Sequence, residues 1–356
     1  MNIKHAKSLI KALYKQQIET GVRYSVELVS GPGIGKSSMV KQLAVELGKE
    51  LAMPMGCKVE FLSTREQPDV AGFALPAKDV DGTHIMIRTK APWMPGAKDP
   101  ANGILLFDEF AQAAPEVVKP AAEILLNGRA GESQLPIGWM VIAASNRVSD
   151  RSGVHKMMAF TENRRMLIEI TPDVDAFIEW AEGAGLHPFA VAFAKAFPGL
   201  VFKDSVPKEP GPFCTPRTLA LVAGLIDALP MHQLTHAAYG YMGEGAGHQF
   251  MAYMTMAKEL DSYENVVANP EGAKLPTRPD TNYAMVQLLA YHLKPAHLKP
   301  IHKYLKRMAR EYQIAAVQAC VRRHGEKLLL SREFGDWFKD KEVLELLQAA
   351  QALRNS

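Results

Sequence analysis

Ser30-Gly31-Pro32-Gly33-Ile34-Gly35-Lys36-Ser37 is the stretch on which the reading of this chain turns. Closely spaced glycines let backbone N–H groups turn inward around a phosphate. Lys36 then adds a point charge to the β/γ oxygens, and Ser37 a hydroxyl ligand for Mg²⁺. Residues Gly31, Pro32, Gly33, Ile34, Gly35, Lys36, Ser37 and Ser38 are therefore the expected nucleotide contacts. The start of the following helix favours the same anion. The pattern G-x-x-x-x-G-K-[ST] calls for glycine where this chain has Ser30. A strand–turn–helix connection that merely needs glycines is the competing account. The apolar run at 24–29 before the loop and the helical pattern at 37–47 after it, closed by Gly48, favour phosphate binding.

Outward from the loop, residues 2–19 read as a helix ended by Gly21, with Ile3, Ala6, Leu9, Ile10, Leu13 and Ile18 near a 3.6-residue period. Apolar strands are expected at 59–62, 104–107 and 140–144, a helix at 115–127, and a β-hairpin around the alternating run 84–88. Strands alternating with helices indicate a parallel sheet covered on both faces. After about residue 172 the pattern is helical: 173–184, 188–197, 216–229 and most of 232–356, with connections expected near 205–215 and 266–280.

The strand at 104–107 runs into Asp108-Glu109. An acid at the carboxyl edge of a parallel sheet lies beside the phosphates, where Asp108 can hold Mg²⁺ directly or through water. Glu109 suits orienting and polarising an attacking water; any strand ending in surface acids is the bland alternative, weakened by the upstream loop. Asn146 ends the next strand, where a neutral amide can bond both γ-phosphate and water; taken alone it equally suits a turn. Arg164 and Arg165 follow in Phe160-Thr161-Glu162-Asn163-Arg164-Arg165. One of them can project into a neighbouring subunit's nucleotide as an arginine finger, the alternative being a surface basic pair. Arg217, in Thr215-Pro216-Arg217-Thr218, can reach the γ-phosphate from a helical lid.

In this order the motifs resemble AAA+ ATPases, and within them the MoxR-like branch with its helix-2 insert. Supporting stretches are Pro68-Asp69-Val70-Ala71-Gly72, Pro92-Trp93-Met94-Pro95, Ile124-Leu125-Leu126-Asn127-Gly128-Arg129 and Ser145-Asn146-Arg147-Val148-Ser149-Asp150-Arg151. The resemblance spans residues 20–230. It implies an α/β fold: a parallel-sheet P-loop AAA+ core over 1–171, a helical lid over 172–230 and an additional C-terminal helical region over 231–356. It also implies ATP and Mg²⁺ as cofactors and a homo-oligomeric, usually hexameric, ring with ATP at subunit boundaries. By position Asn146 matches the sensor-1 residue, Arg164 the finger and Arg217 the sensor-2 arginine. Inserts near 74–92 and 127–138 match the helix-2 insert and the pre-sensor hairpin. Where the family often has an aromatic after the finger, this chain has Arg165.

Composition narrows the setting. The 356 residues suit two or three packed units, and a net charge of +3 argues neither for nor against nucleic acid. Three cysteines far apart lack zinc spacing, and no apolar run reaches membrane-spanning length, so a cytoplasmic protein is expected. Lys294, Lys299, Lys303, Lys306, Arg307, Arg310, Arg322, Arg323 and Lys327 concentrate in 294–327 against Glu311 and Glu326. Lys299 to Arg310 fall at helical spacing as one positive face, either a solvated face or a contact for nucleic acid or an acidic protein. The leading expectation is an ATP-driven ring motor that remodels or activates a partner protein, a von Willebrand A-type domain being the partner class the resemblance implies. The alternatives are a nucleic-acid motor or ATPase subunit of a DNA-acting complex, and a nucleotide-dependent switch.

Overall fold

The computed structural model describes residues 1–131, 133–150, 163–203 and 205–337, with 341, 344, 345 and 348 beyond. Arg151, residues 160–162 and the side chains of Lys327 and Trp337 lie outside the described residues. The chain forms two compact units, 1–172 with 204–206, and 173–203 with 207–356.

In the first unit, strands β1 (Val26–Ser30), β2 (Met55–Phe61), β5 (Asn102–Asp108), β8 (Trp139–Asn146) and β9 (Met166–Glu169) make one sheet in the order β2-β5-β8-β1-β9. Every neighbouring pair is parallel. Helices α1 (Ile3–Thr20) and α2 (Lys36–Glu50) supply the core of one face, with Ile10, Val40 and Leu43 against Val26, Leu28, Leu106 and Ile142. Helix α4 (Pro115–Asn127) supplies the other, with Val117, Ala121 and Leu125 against Leu105, Phe107 and Val141. Strands buried on both faces read as continuous apolar runs, which is why β5 and β8 were legible. The sheet is the parallel α/β core expected, with the phosphate loop leaving the strand next to the edge strand β9, and the described elements of the second unit are helices.

Two antiparallel hairpins leave this core, β3–β4 (Ala74–Lys78, His84–Arg88) after the short helix α3 (Gln67–Ala71), and β6–β7 (Arg129–Ala130, Ser133–Gln134) after α4. Phe73, Leu75, Val80 and Met86 of the first hairpin region are exposed. The two adjoin, since a Cβ on Gly131 would lie 3.0 Å from Cδ of Arg88. In the sheet the fully buried Trp139 indole fills space left by two glycines: a Cβ at Gly56 or Gly103 would come within 2.6 or 2.7 Å of its ring.

Several boundaries differ from the sequence reading. Helix α2 continues through Gly48 to Glu50, because its apolar face goes on packing at Leu47 and one glycine costs only about 1 kcal/mol. Strand β2 begins at Met55, four residues before the apolar segment 59–62, since Gly56, Cys57 and Lys58 are carried by pairing to β5. Strand β9 was not foreseen at all, and the helix expected over 216–229 stops at Ala223.

All elements described in the second unit are helical. Phe250 and Tyr253 pack edge to face on Phe193 in one core, and Met285, Leu289, Ile301 and Tyr304 gather in another. Helices Val174–Gly183, Pro279–His292 and Arg310–Leu329 are tied by a buried network in which Arg322 donates to Glu182 at 3.0 Å, Gln287 donates to Glu182 at 2.6 Å and Arg323 donates to Gln287 at 3.0 Å. No helix among the described residues is long and apolar enough to cross a membrane.

Candidate functional site: a phosphate loop at the carboxyl edge of the sheet

β1 delivers Ser30 to the carboxyl edge of the sheet, and the loop returns at α2 with Gly33 (φ 77°) and Gly35 (φ 107°) in left-handed backbone. A side chain is strained at such φ values, so these two glycines are conformational requirements. Ile34 anchors the loop in the core. Lys36, Ser37 and Ser38 occupy the first turn of α2, where unpaired N–H groups and the helix dipole favour an anion.

Ser30 is fully buried and takes part in the loop. Its carbonyl and its hydroxyl each accept from Lys36 Nζ at 3.1 Å. The same ammonium donates to the Gly31 carbonyl at 3.3 Å and to Oδ1 of Asn146 at 2.9 Å. Asn146 stands opposite Ser30 in the β1–β8 register, so the asparagine and the lysine, 110 residues apart, are brought together by strand pairing.

β5 brings Asp108 to the same edge. Oδ2 of Asp108 accepts from the Ser37 hydroxyl, and Oδ1 accepts from the Glu109 N–H at 3.0 Å. A hydroxyl beside a buried carboxylate suits a small hard cation that keeps few protein oxygens and completes its shell with water and phosphate. Ser37 and Asp108 thus fit Mg²⁺ by the chemistry of their donors.

Glu109 adopts left-handed backbone (φ 57°), unusual for a residue with a side chain. The turn lifts it out of the strand direction into the short helix Phe110–Gln112. Its carboxylate accepts from the hydroxyl of Ser63, beyond the end of β2. Ser63 was not singled out in the sequence, where nothing marks a serine 46 residues away as a partner.

The arginine pair divides. Arg164 is exposed and donates to Oδ1 of Asn127 at 3.1 Å. Arg165 is turned inward, its side chain 7% exposed, and pairs with Glu27 of β1, itself 2% exposed. Glu27 also escaped the sequence reading, although an acid inside the apolar run Val26-Glu27-Leu28-Val29 is a visible signal. Asp150, 5% exposed, lies close to the loop as well, with Oδ2 3.9 Å from where a Cβ on Gly31 would sit. Arg217 belongs to the second unit, exposed on the first turn of helix Pro216–Ala223, which Thr215 caps by accepting from the Thr218 N–H at 3.2 Å.

The basic run does not form the single helical face expected. Lys299 and Lys303 lie on helix Leu298–Leu305, Lys306 and Arg307 fall in the turn after it, and Arg310 opens the next helix. Arg307 donates to the carbonyls of Pro270 and Ala273 at 2.9 and 2.8 Å and stacks on Tyr304. Arg322 and Arg323 are spent on the buried network. Lys294 and Lys299 remain on the surface.

No protein-family model matches the chain, and no curated protein matches it. Among solved structures it is similar to the Thermotoga maritima RuvB Holliday junction branch migration motor, at 16% identity and TM-score 0.39 over 86% of each chain. It is also similar to C. elegans PCH-2, at 12% identity and TM-score 0.35 over 71% of this chain and 68% of that one. A third is NtrX from Brucella abortus, at 12% identity and TM-score 0.29 over 96% of this chain and 67% of that one.

Proposed function

We propose that this chain is the subunit of an ATP-hydrolysing AAA+ ring motor of MoxR-like type that remodels or activates a partner protein, with ATP held at subunit boundaries. The observation that carries the reading is the convergence of Lys36 with Asn146, and of Ser37 with Asp108, at one sheet edge beside Glu109. A nucleotide-binding loop alone needs neither the asparagine nor a second acid.

In this reading the loop N–H groups and Lys36 bind the β- and γ-phosphates. Ser37 and Asp108 would hold Mg²⁺, which when bound would neutralise charge on the phosphate oxygens. Glu109 orients the attacking water and accepts its proton, and Asn146 donates from its amide to the γ-phosphate. Arg164, exposed at the end of the first unit, enters a neighbouring subunit's site and stabilises the charge of the transition state. Arg165 is spent on Glu27, which favours Arg164 as the finger. The resemblance assigns Arg217, on its exposed helix start within 172–230, the sensor-2 role toward the γ-phosphate. The exposed apolar side chains of the β3–β4 hairpin, in the position of a helix-2 insert, suit contact with a partner protein, a von Willebrand A-type domain being the class the resemblance suggests.

The test is steady-state ATPase with the Glu109→Gln protein. Loss of a general base predicts a fall in kcat of about 10²–10⁴-fold with ATP binding kept. In ATP the variant should hold a partner protein in a pull-down. An unchanged kcat sinks the assignment of Glu109 and with it the motor.

A further inference from the structure

We infer that Glu27 and Ser145 are positioning residues that join the arginine carried to a neighbour's ATP with the hydrolytic loop of the same subunit. The inference rests on the proposed reading of Arg164 and Glu109.

The relay is continuous and buried. Arg165 pairs with Glu27, whose Oε1 accepts from the Ser145 hydroxyl at 2.5 Å. Ser145 Oγ in turn accepts from the Ala111 N–H at 3.2 Å. Glu27 and Ser145 are each 2% exposed. One end of the relay lies next to Arg164. The other is the second residue after Glu109, in the turn that follows its left-handed backbone.

The surroundings are apolar: Val141 and Ala143 of β8 and Leu125 of α4 pack on the same face. An ion pair here gains little over well-packed hydrocarbon, because both charges lose water, so stability alone gives it no advantage. What the pair supplies is direction. A guanidinium nitrogen held against one carboxylate oxygen fixes where both side chains lie, which a methyl contact does not. Arg165 locked to β1 sets where the backbone releases Arg164. The second carboxylate oxygen, through Ser145, fixes the N–H that closes the turn behind Glu109. A displacement of Arg164 on meeting a γ-phosphate therefore pulls on the turn that aims Glu109 in its own subunit.

The experiment compares Ser145→Ala and Glu27→Gln, alone and mixed with Arg164→Ala subunits. Ser145→Ala should lower kcat about tenfold with ATP affinity within about twofold, and Ser145→Thr should restore kcat, a split that loss of fold would not give. Ser145→Ala subunits keep their finger, so mixing them with Arg164→Ala subunits should recover activity above the sum of the two. Glu27→Gln subunits keep an oxygen for Ser145 but lose the charge that holds Arg165, so their finger is misplaced and they should not complement. Where Glu27→Gln does not assemble, Glu27→Gln with Arg165→Met leaves no buried charge unpaired and carries the same expectation. A wild-type kcat in Ser145→Ala, or complementation by the Glu27 variant equal to that by Ser145→Ala, overturns the inference. The control mixes Glu109→Gln with Arg164→Ala subunits: its failure to recover activity overturns the shared-site reading, whereas its success with Glu27→Gln complementing overturns the relay alone.

Discussion

Ser63 shows how much a single hydroxyl can govern at this site. It donates to the Glu109 carboxylate, the group proposed to take a proton from water. A carboxylate oxygen that is already accepting has one lone pair turned away from the water. Ser63→Ala should therefore raise basal kcat several-fold, within the roughly 1.5–3 kcal/mol that a hydrogen bond to a charged group is worth. Both groups meet solvent, so thermal stability should stay put; ATPase rates and a melting curve read the two effects separately. None of this was legible in the sequence, because the contact joins β2 to β5 through a register that only the fold sets. Lys36, Ser37, Asp108 and Glu109 were legible because each sits at a fixed offset from an apolar strand or a glycine loop. Glu27 was half legible: an acid in a buried strand announces a partner without naming Arg165.

At the scale of elements, His187 links a helix terminus to pH. It caps helix Pro188–Ala196, its Nδ1 accepting from the Phe189 N–H at 3.3 Å, so the ring must be unprotonated there. Burial drives its pKa down to about 4, with His292 and Arg323 adding to the effect and the Asp227 carboxylate opposing it. The group titrates near 6.5 once unfolded, so between pH 6.5 and about 4 the unfolded chain binds the proton and the folded one does not. Stability present above that window is lost as pH falls through it, by on the order of 3 kcal/mol. His187→Asn keeps a capping acceptor and removes the titration. Its melting temperature should trail the wild type at neutral pH and draw level toward pH 4; parallel curves would refute the assignment. The elements themselves were read unevenly. Long apolar strands such as β8 and periodic helices such as α1 stood out. β9, four residues long and bounded by a basic pair and an acid, lacked any pattern of its own and exists through pairing with β1. The basic stripe misled for a related reason, since spacing at helical intervals does not reveal a turn at 306–309.

For the whole molecule, the decisive question is whether one chain suffices. Arg164 is on the surface, held within its own subunit by the Asn127 amide. If the site is completed by a neighbour, activity per subunit must fall on dilution as rings come apart, and Arg164→Ala must lose about 10³–10⁵-fold in kcat at every concentration. ATPase measured across a dilution series, with particle mass recorded alongside, checks both. A rate per subunit independent of concentration would make the chain a self-sufficient enzyme. The division into two units was only partly readable: the change from alternating strands and helices to helices alone marks residue 172, but the segment 204–206 returns to the first unit without any signal in its composition.

Trp139, wedged over Gly56 and Gly103, also makes the first unit optically distinct. Of the four tryptophans, Trp93 and Trp139 are buried in that unit at 3% and 0% exposure, while Trp180 of the second is 38% exposed. Indoles shut away from water emit at shorter wavelength than wetted ones, so among the three tryptophans whose side chains are described the blue emission comes from the first unit. Far-ultraviolet circular dichroism is weighted instead toward the helices of the second unit. Denaturant titrations followed by the two signals should give displaced midpoints, each reporting the stability of its own unit.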